Sequence, residues 1–193
     1  MTSSQVLLKE ICSTIQYGYT ASATEDEVGP KFLRITDIVP EQIDWSSVPY
    51  CQIEDNEADK YRIRKGDIVI ARTGNTTGYA KLIRDEVDAV FASYLIRITI
   101  NPNVADAGFV GRLIESEQYK QFVLSVKSGS AQGNANAQTL TLFKFRLPPL
   151  AEQLRIAEIL ALYDELIANN RRRITLLEEA ARQLYQEWFV RLR

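Results

Sequence analysis

The stretch that decides the fold of the chain's end is PPLAEQLRIAEILALYDELIANNRRRITLLEEAARQLYQEWFVRL, residues 148–192. It begins with two prolines, which are tolerated in the first turn of a helix, and contains no further proline or glycine. The sequence therefore predicts one uninterrupted helix over residues 148–193. At a rise of about 1.5 Å per residue this helix would be roughly 65 Å long, several times the length of an average helix.

The apolar residues of this stretch are spaced alternately three and four positions apart, which is typical of the seam of a coiled coil. The predicted seam consists of Ile156, Leu160, Tyr163, Ile167, Asn170, Ile174, Leu177, Ala181, Leu184 and Trp188. A buried asparagine lowers stability but restricts the register, so Asn170 is expected to fix the alignment with a partner helix. The alternative is a helix packed on its own domain. Because a domain of about 145 residues is only about 35 Å across, the partner helix is favoured.

Residues 1–147 are expected to form a separate domain that contains a β-sheet. Alternating or continuous apolar residues predict strands over residues 32–38, 61–64, 68–71, 79–83 and 89–100. Helical spacing predicts a short helix over 6–15 and one or two helices over 107–126, with irregular structure over 39–60. The predicted fold class is α+β: a mixed β-sheet domain with flanking helices, followed by one long C-terminal coiled-coil helix.

Composition excludes several kinds of catalytic site. The chain has no histidine, which removes the commonest general base and metal ligand, and its two cysteines, Cys12 and Cys51, are far apart. The loop from Gly74 to Gly78 is not followed by the lysine and serine or threonine that complete a phosphate-binding loop. Neither a signal peptide nor an apolar run of membrane-spanning length is expected, so a cytoplasmic protein with reduced thiols is predicted.

An acidic run, Glu54–Lys60, leaves a catalytic alternative open. Its carboxylates could hold a metal ion in a nuclease, although a solvated acidic loop is the commoner interpretation of such a run. The net charge of −2 argues mildly against binding bulk nucleic acid. It is compatible with sequence recognition if the positive charge is concentrated locally. The sequence therefore favours a binding protein over an enzyme.

Several stretches resemble the specificity subunit of type I restriction–modification systems. The strongest is LPPLAEQ, residues 147–153, which continues through Arg155, Ile156 and Ala157 and closes with LYQEWF, residues 184–189. The other similar stretches are residues 18–22, 32–38, 66–74, 91–95, 129–130 and 136–138. The resemblance covers essentially the whole chain in the family's order.

The resemblance implies a target-recognition domain over residues 1–147 and a conserved-region helix over 148–193. The domain would read one half of a bipartite site in double-stranded DNA, and the helix would serve dimerisation, spacing and subunit recruitment. The implied partners are a DNA methyltransferase subunit and a restriction subunit, which would use S-adenosylmethionine, ATP and Mg²⁺. No catalytic residue, metal site or cofactor is implied for this chain itself.

The chain departs from the family in one respect, since members usually carry two recognition domains and two helices. A second PPLAEQ or GDIV stretch does not occur in these 193 residues. The resemblance therefore implies a half-length form that acts as an antiparallel homodimer and reads an interrupted palindrome. The alternative is a remnant that competes for the other subunits through its helix.

Three polar loops are the candidate DNA-binding surface, because binding residues commonly lie on loops held by a rigid sheet. Hydroxyl groups in the first loop can reach phosphates or bases, and Arg72 in the second can bind guanine through two hydrogen bonds. Amide side chains in the third match the edge of adenine, although this segment also fits a plain linker. The full predicted set is Tyr17, Tyr19, Thr20, Ser22, Arg34, Arg72, Thr73, Asn75, Thr76, Lys81, Lys127, Ser128, Ser130, Gln132, Asn134 and Asn136.

Overall fold

The computed structural model describes residues 4–128 and 135–191. The chain divides into two compact units, Met1–Leu154 and Arg155–Arg193. The strands of the first unit are β1 Ser4–Leu7, β2 Cys12–Tyr17, β3 Lys31–Leu33, β4 Ile68–Ala71, β5 Ala80–Leu82, β6 Ala89–Phe91, β7 Leu95–Ile100 and β8 Lys144–Leu147. The helices are α1 Ile35–Ile38, α2 Asp55–Tyr61, α3 Ala107–Glu115, α4 Glu117–Ser128, α5 Ala137–Leu140 and α6 Leu150–Tyr185.

The central sheet has four strands in the order β2-β7-β4-β5, and every pair in it is antiparallel. Strand β4 is buried on both faces, which explains its continuous apolar sequence. Ile68 and Ile70 face a core that includes residues of α3 and α4, whereas Val69 and Ala71 face a second core that includes β3 and β6. The sheet is therefore an inner layer that can hold its connecting loops rigidly.

Two further pairs of strands complete the recognition unit. Strands β3 and β6 run parallel, and β1 and β8 run antiparallel. Helix α3 is capped by Asp106, whose carboxylate accepts a 2.8 Å hydrogen bond from the Phe109 amide. The parallel and antiparallel pairs, with helices and a long C-terminal helix, confirm the predicted mixed α+β fold.

The helix predicted over residues 6–15 is wrong. The segment forms β1, a short 3₁₀ helix over Leu8–Ile11, and β2. Val6 pairs with Phe145 and Ile15 pairs with Ile98, so each strand is formed by a partner far away in the sequence. Local spacing cannot reveal such pairing, which overrides the helical pattern of apolar residues.

The region before β4 also differs from the prediction. The strand expected over residues 32–38 is confirmed for its beginning, but a helical turn follows, closed by a 2.7 Å hydrogen bond from the Arg34 amide to the Asp37 carboxylate. Irregular structure was expected over residues 39–60, but α2 forms over Asp55–Tyr61. The strand expected over residues 61–64 is wrong, because Arg62 makes only an isolated bridge to Val90 there. The strands predicted over 68–71, 79–83 and 89–100, and the helices over 107–126, are confirmed.

The long C-terminal helix is confirmed as α6, which continues into a π-helical turn over Gln186–Val190. Near the start of α6, Gln153 is fully buried. Its side-chain oxygen accepts a 2.9 Å hydrogen bond from the backbone amide of Asp106, and its side-chain nitrogen donates to the backbone carbonyl of Pro148 at 2.8 Å. Beyond this turn the helix exposes large apolar side chains. Leu177, for example, is 68% exposed. None of the described helices is long and apolar enough to cross a membrane.

Candidate nucleic-acid interface

The carboxyl ends of β2 and β4 lie beside the amino end of β7, so the segments that follow them meet at one edge of the central sheet. Tyr17 pairs with Ile96, and Ala71 pairs with Leu95. We call this region the loop edge, and it comprises residues 17–20, 72–79, 92–94 and 135–137. It contains described members of all three loops that the sequence singled out, which local sequence patterns alone could not establish.

Arg72 lies at the centre of the loop edge. Its guanidinium carbon lies 4.9 Å from the centre of the Tyr17 ring, and Nη1 donates a 3.2 Å hydrogen bond to the carbonyl of Ser93. Its backbone amide donates to the carbonyl of Tyr94 at 3.1 Å, and its own carbonyl accepts from the amide of Ala135 at 3.2 Å. Arg72 thus joins four segments of the loop edge.

A glycine brings the first loop close to the turn between β6 and β7. A Cβ atom on Gly18 would lie 2.2 Å from the carbonyl oxygen of Ala92 and 2.3 Å from that of Phe91. The backbone carbonyl of the next residue, Tyr19, accepts a 2.7 Å hydrogen bond from the backbone amide of Ser93. No other residue type fits this approach without displacing the backbone.

The loop after β4 is held by hydrogen bonds to its own backbone and by α4. Gly74 and Gly78 adopt φ angles of 74° and 89°, which favour glycine. The Thr77 hydroxyl donates to the Gly74 carbonyl at 2.7 Å, and Lys127 of α4 donates to the same oxygen at 3.0 Å. Thr73, Asn75 and Thr76 belong to this ordered loop, and Asn75 is exposed at its tip.

The third loop reaches the loop edge through the residues that precede α5. The amide of Ala137 donates a 3.0 Å hydrogen bond to the Tyr17 hydroxyl, and Asn136 caps α5 by accepting from the Thr139 amide at 2.8 Å. A surface groove of about 830 Å³ beside Tyr17 is lined in part by Asn136 and Ile15. The predicted residues Ser130, Gln132 and Asn134, and the side chain of Ser128, lie outside the described residues.

A second surface cavity, of about 500 Å³, extends from the loop edge along the first loop and is lined by Tyr19, Thr20, Ser22 and Gln52 among others. The Tyr19 ring lies 5.2 Å from the Tyr61 ring. Partial burial raises the pKa of Tyr19, and the nearby Glu57 carboxylate adds to this effect.

Two predicted residues are engaged elsewhere. Arg34 forms a salt bridge of 3.0 Å with Asp37 beside α1. Lys81 lies on β5 and donates a 3.0 Å hydrogen bond to the Glu41 carbonyl, and burial lowers its pKa. The structure therefore does not bring either residue into the loop edge.

Sequence reasoning missed Ser93 and Tyr94, which form the turn between β6 and β7. Tyr94 is 60% exposed, although both strands around it are buried. The sequence signal that could have found Tyr94 is an aromatic residue in the middle of the apolar stretch 89–100, but the whole stretch was predicted as strand. A large exposed ring in a short turn is a feature that packing within the domain does not require.

The acidic run forms α2 rather than a carboxylate cluster. Asp59 pairs with Arg62 at 3.0 Å, and within residues 4–128 and 135–191 no group of three or more potential ligands is placed to hold a metal ion.

Burial raises the pKa of Cys12 to about 12, so its thiol remains protonated at neutral pH.

Polar loops gathered on a rigid sheet edge, together with a long helix that exposes apolar side chains, define a binding module. Comparison with known proteins specifies its family. The type I restriction modification DNA specificity domain matches residues 5–179. The chain therefore belongs to this family, whose specificity subunits are non-catalytic DNA-recognition components.

Two relatives come from Methanocaldococcus jannaschii. The putative type I restriction enzyme MjaX specificity subunit is 28% identical over 189 residues, which span 95% of this chain and 44% of that protein. The type I restriction enzyme MjaVIII specificity subunit is 27% identical over 187 residues, or 93% of this chain and 43% of that protein. The chain thus spans less than half the length of these relatives.

Two solved structures share the fold. The HsdS subunit from Thermoanaerobacter tengcongensis aligns with a TM-score of 0.62 at 18% identity, covering 96% of this chain and 48% of the other. The type I restriction–modification S subunit from M. genitalium aligns with a TM-score of 0.62 at 16% identity, covering 96% and 44%. At these identities the similarity defines the fold.

Proposed function

We propose that this chain reads one half of a bipartite site in double-stranded DNA. The observation that carries the proposal is the convergence at the loop edge of three segments distant in sequence, where Tyr17 contacts both Arg72 and Ala137. Hydroxyl and amide groups bind base edges and phosphates, and the loop after β4 carries such groups on Thr73, Asn75 and Thr76. Because they stand on loops tied to a buried sheet, they would meet DNA with little loss of conformational entropy.

The long helix supports a second part of the proposal, a homodimer. Its predicted seam includes Leu160, Ile167, Ile174 and Leu177, and all four are exposed. One helix cannot bury such a stripe alone, whereas an antiparallel copy related by a two-fold axis buries both stripes. That arrangement puts a recognition domain at each end, so the target would be two inverted half-sites separated by a spacer.

The catalytic partners are also part of the proposal. A methyltransferase subunit and a restriction subunit would be recruited through the conserved-region helix, and they would supply the S-adenosylmethionine, ATP and Mg²⁺ chemistry. This chain would then direct those activities to one DNA sequence in the cytoplasm, as part of defence against phage.

The proposal is tested by selecting duplexes from a randomised library with the purified chain, alone and with a type I methyltransferase subunit. Fluorescence anisotropy then compares the selected duplex with a shuffled one. We expect at least about a tenfold preference, since one well-placed base contact is worth about 1–3 kcal/mol. Asn75→Ala should weaken binding, whereas Asn103→Ala, in the exposed turn after β7, should not. Failure to prefer any duplex over random DNA, even with the partner, would refute the proposal.

A further inference from the structure

Tyr94 is presented on a turn that is fixed from several sides. Its carbonyl accepts the Arg72 amide at 3.1 Å, the preceding Ser93 amide donates to Tyr19 at 2.7 Å, and the Leu95 amide donates to Ala92 at 2.8 Å. The backbone is therefore rigid, while the ring is 60% exposed. An aromatic side chain on a fixed backbone loses little entropy on binding, because it has only two rotatable side-chain bonds.

The other tyrosines near this turn already have partners within the chain. The Tyr17 ring carries the Arg72 guanidinium at 4.9 Å, the Tyr19 ring packs on Tyr61 at 5.2 Å, and the Tyr79 ring lies 5.6 Å from Lys120 Nζ. Within residues 4–128 and 135–191, the Tyr94 side chain has no hydrogen bond or ring contact. Its ring is thus available to an external ligand.

Two of the three guanidinium nitrogens of Arg72 face the protein. Nη1 donates to the Ser93 carbonyl at 3.2 Å, and Nε is buried without a hydrogen-bond partner in the described chain. A face of the guanidinium rests on Tyr17. This geometry suits a residue that holds the turn in place.

We infer that Tyr94 is the aromatic DNA contact of the loop edge, its ring packing against a base, and that Arg72 is its positioning residue. The inference rests on the proposed function, since DNA is the ligand. The faces of the bases in a duplex are stacked on one another, so the Tyr94 ring would pack against base edges and sugars exposed in a groove. This contact would supply affinity and place the chain on the duplex. Sequence discrimination would come from the amide and hydroxyl groups around it.

Anisotropy with the selected duplex tests the inference. Tyr94→Ala should weaken binding at least about fivefold, because truncating an aromatic anchor at an interface costs more than about 1 kcal/mol, whereas Tyr94→Phe should stay within about twofold. Val104→Ala is the matched control, because Val104 is exposed near the opposite end of β7 and should bind as the unaltered chain does. Unaltered affinity of Tyr94→Ala would overturn the inference and leave the proposed function standing. A wild-type chain without any preferred duplex would overturn the proposed function itself.

The positioning role of Arg72 is tested by a double-mutant cycle. If Arg72 acts through Tyr94, then Arg72→Ala combined with Tyr94→Ala should bind about as weakly as the weaker single variant. Losses that simply multiply would assign Arg72 an independent contact and overturn its positioning role. Thermal unfolding of each variant shows whether it is folded at the temperature of the binding measurement. As a direct readout, 5-iodouracil placed within the selected half-site should photo-crosslink to Tyr94 in the unaltered chain and lose that crosslink in Arg72→Ala.

Discussion

The guanidinium carbon of Arg72 lies 4.9 Å from the centre of the Tyr17 ring. This contact joins the end of β2 to the loop after β4, and the Tyr17 hydroxyl extends the connection to Ala137 at 3.0 Å. One tyrosine therefore links three segments that sequence reasoning treated as separate loops.

Substitutions of Tyr17 separate its two contacts. Tyr17→Phe keeps the ring but removes the acceptor for the Ala137 amide, and should lower the free energy of unfolding by about 1 kcal/mol. Tyr17→Ala also removes the cation–π contact, and should cost about 1 kcal/mol more. Urea denaturation followed by circular dichroism measures both values, and equal stability of the two variants would show that the ring contact contributes nothing.

Gly18 and Gly74 should differ in their response to alanine. At Gly18 the added Cβ would meet the carbonyl oxygens of Phe91 and Ala92, so the backbone must shift, at a cost of about 3 kcal/mol. At Gly74 no atom lies within 4 Å, and only the φ of 74° opposes alanine, at about 1 kcal/mol. Thermal unfolding compares the two variants. A Gly18→Ala protein as stable as Gly74→Ala would contradict the close approach at the loop edge.

Gln153 is the buried polar residue in the first turns of α6. Gln153→Ala leaves the Asp106 amide and the Pro148 carbonyl without this partner, and should lower the free energy of unfolding by about 3 kcal/mol. Glu152→Gln, one residue earlier on the exposed side, should change it by less than about 0.5 kcal/mol. Chemical denaturation of both variants checks this, and similar stabilities would mean that the glutamine network is not maintained in solution.

The exposed seam of α6 predicts the oligomeric state. Ile167 and Ile174 are 46% and 55% exposed, and replacing both with aspartate puts two charges into each half of the proposed interface. Light scattering should then report a folded monomer in place of a dimer.

The matched control for the seam is Ala168→Asp with Thr175→Asp. These residues follow the seam positions by one, so the control adds the same two charges to the helix but points them away from the stripe. This control should remain dimeric. A dimer mass for the Ile167→Asp, Ile174→Asp variant would exclude the predicted seam.

Features with strong local signals could be predicted from the sequence. The buried strand β4 is continuously apolar, and α6 lacks any residue that would end it before its last turns. Features that depend on distant partners could not. Ile15 fits a helical pattern but pairs with Ile98, and α2 forms where the charged residues suggested a loop.

Some features of the candidate site could likewise be predicted from the sequence, and others could not. Polar composition identified the loops around Tyr17, Arg72 and Asn136, but their convergence depends on the order of strands in the sheet. Arg34 and Lys81 were selected for charge alone, and the structure gives each a partner away from the loop edge. Tyr94 was overlooked because exposure is a property of the fold that its neighbours in sequence do not encode.

The most direct test of the account is to sequence the methylated bases in DNA from cells that carry this chain and its methyltransferase partner. We predict one bipartite methylated motif whose two halves are inverted copies of each other, and which disappears when this chain is deleted. A methylation pattern that is unchanged by the deletion would contradict the claim that this chain selects the DNA sequence.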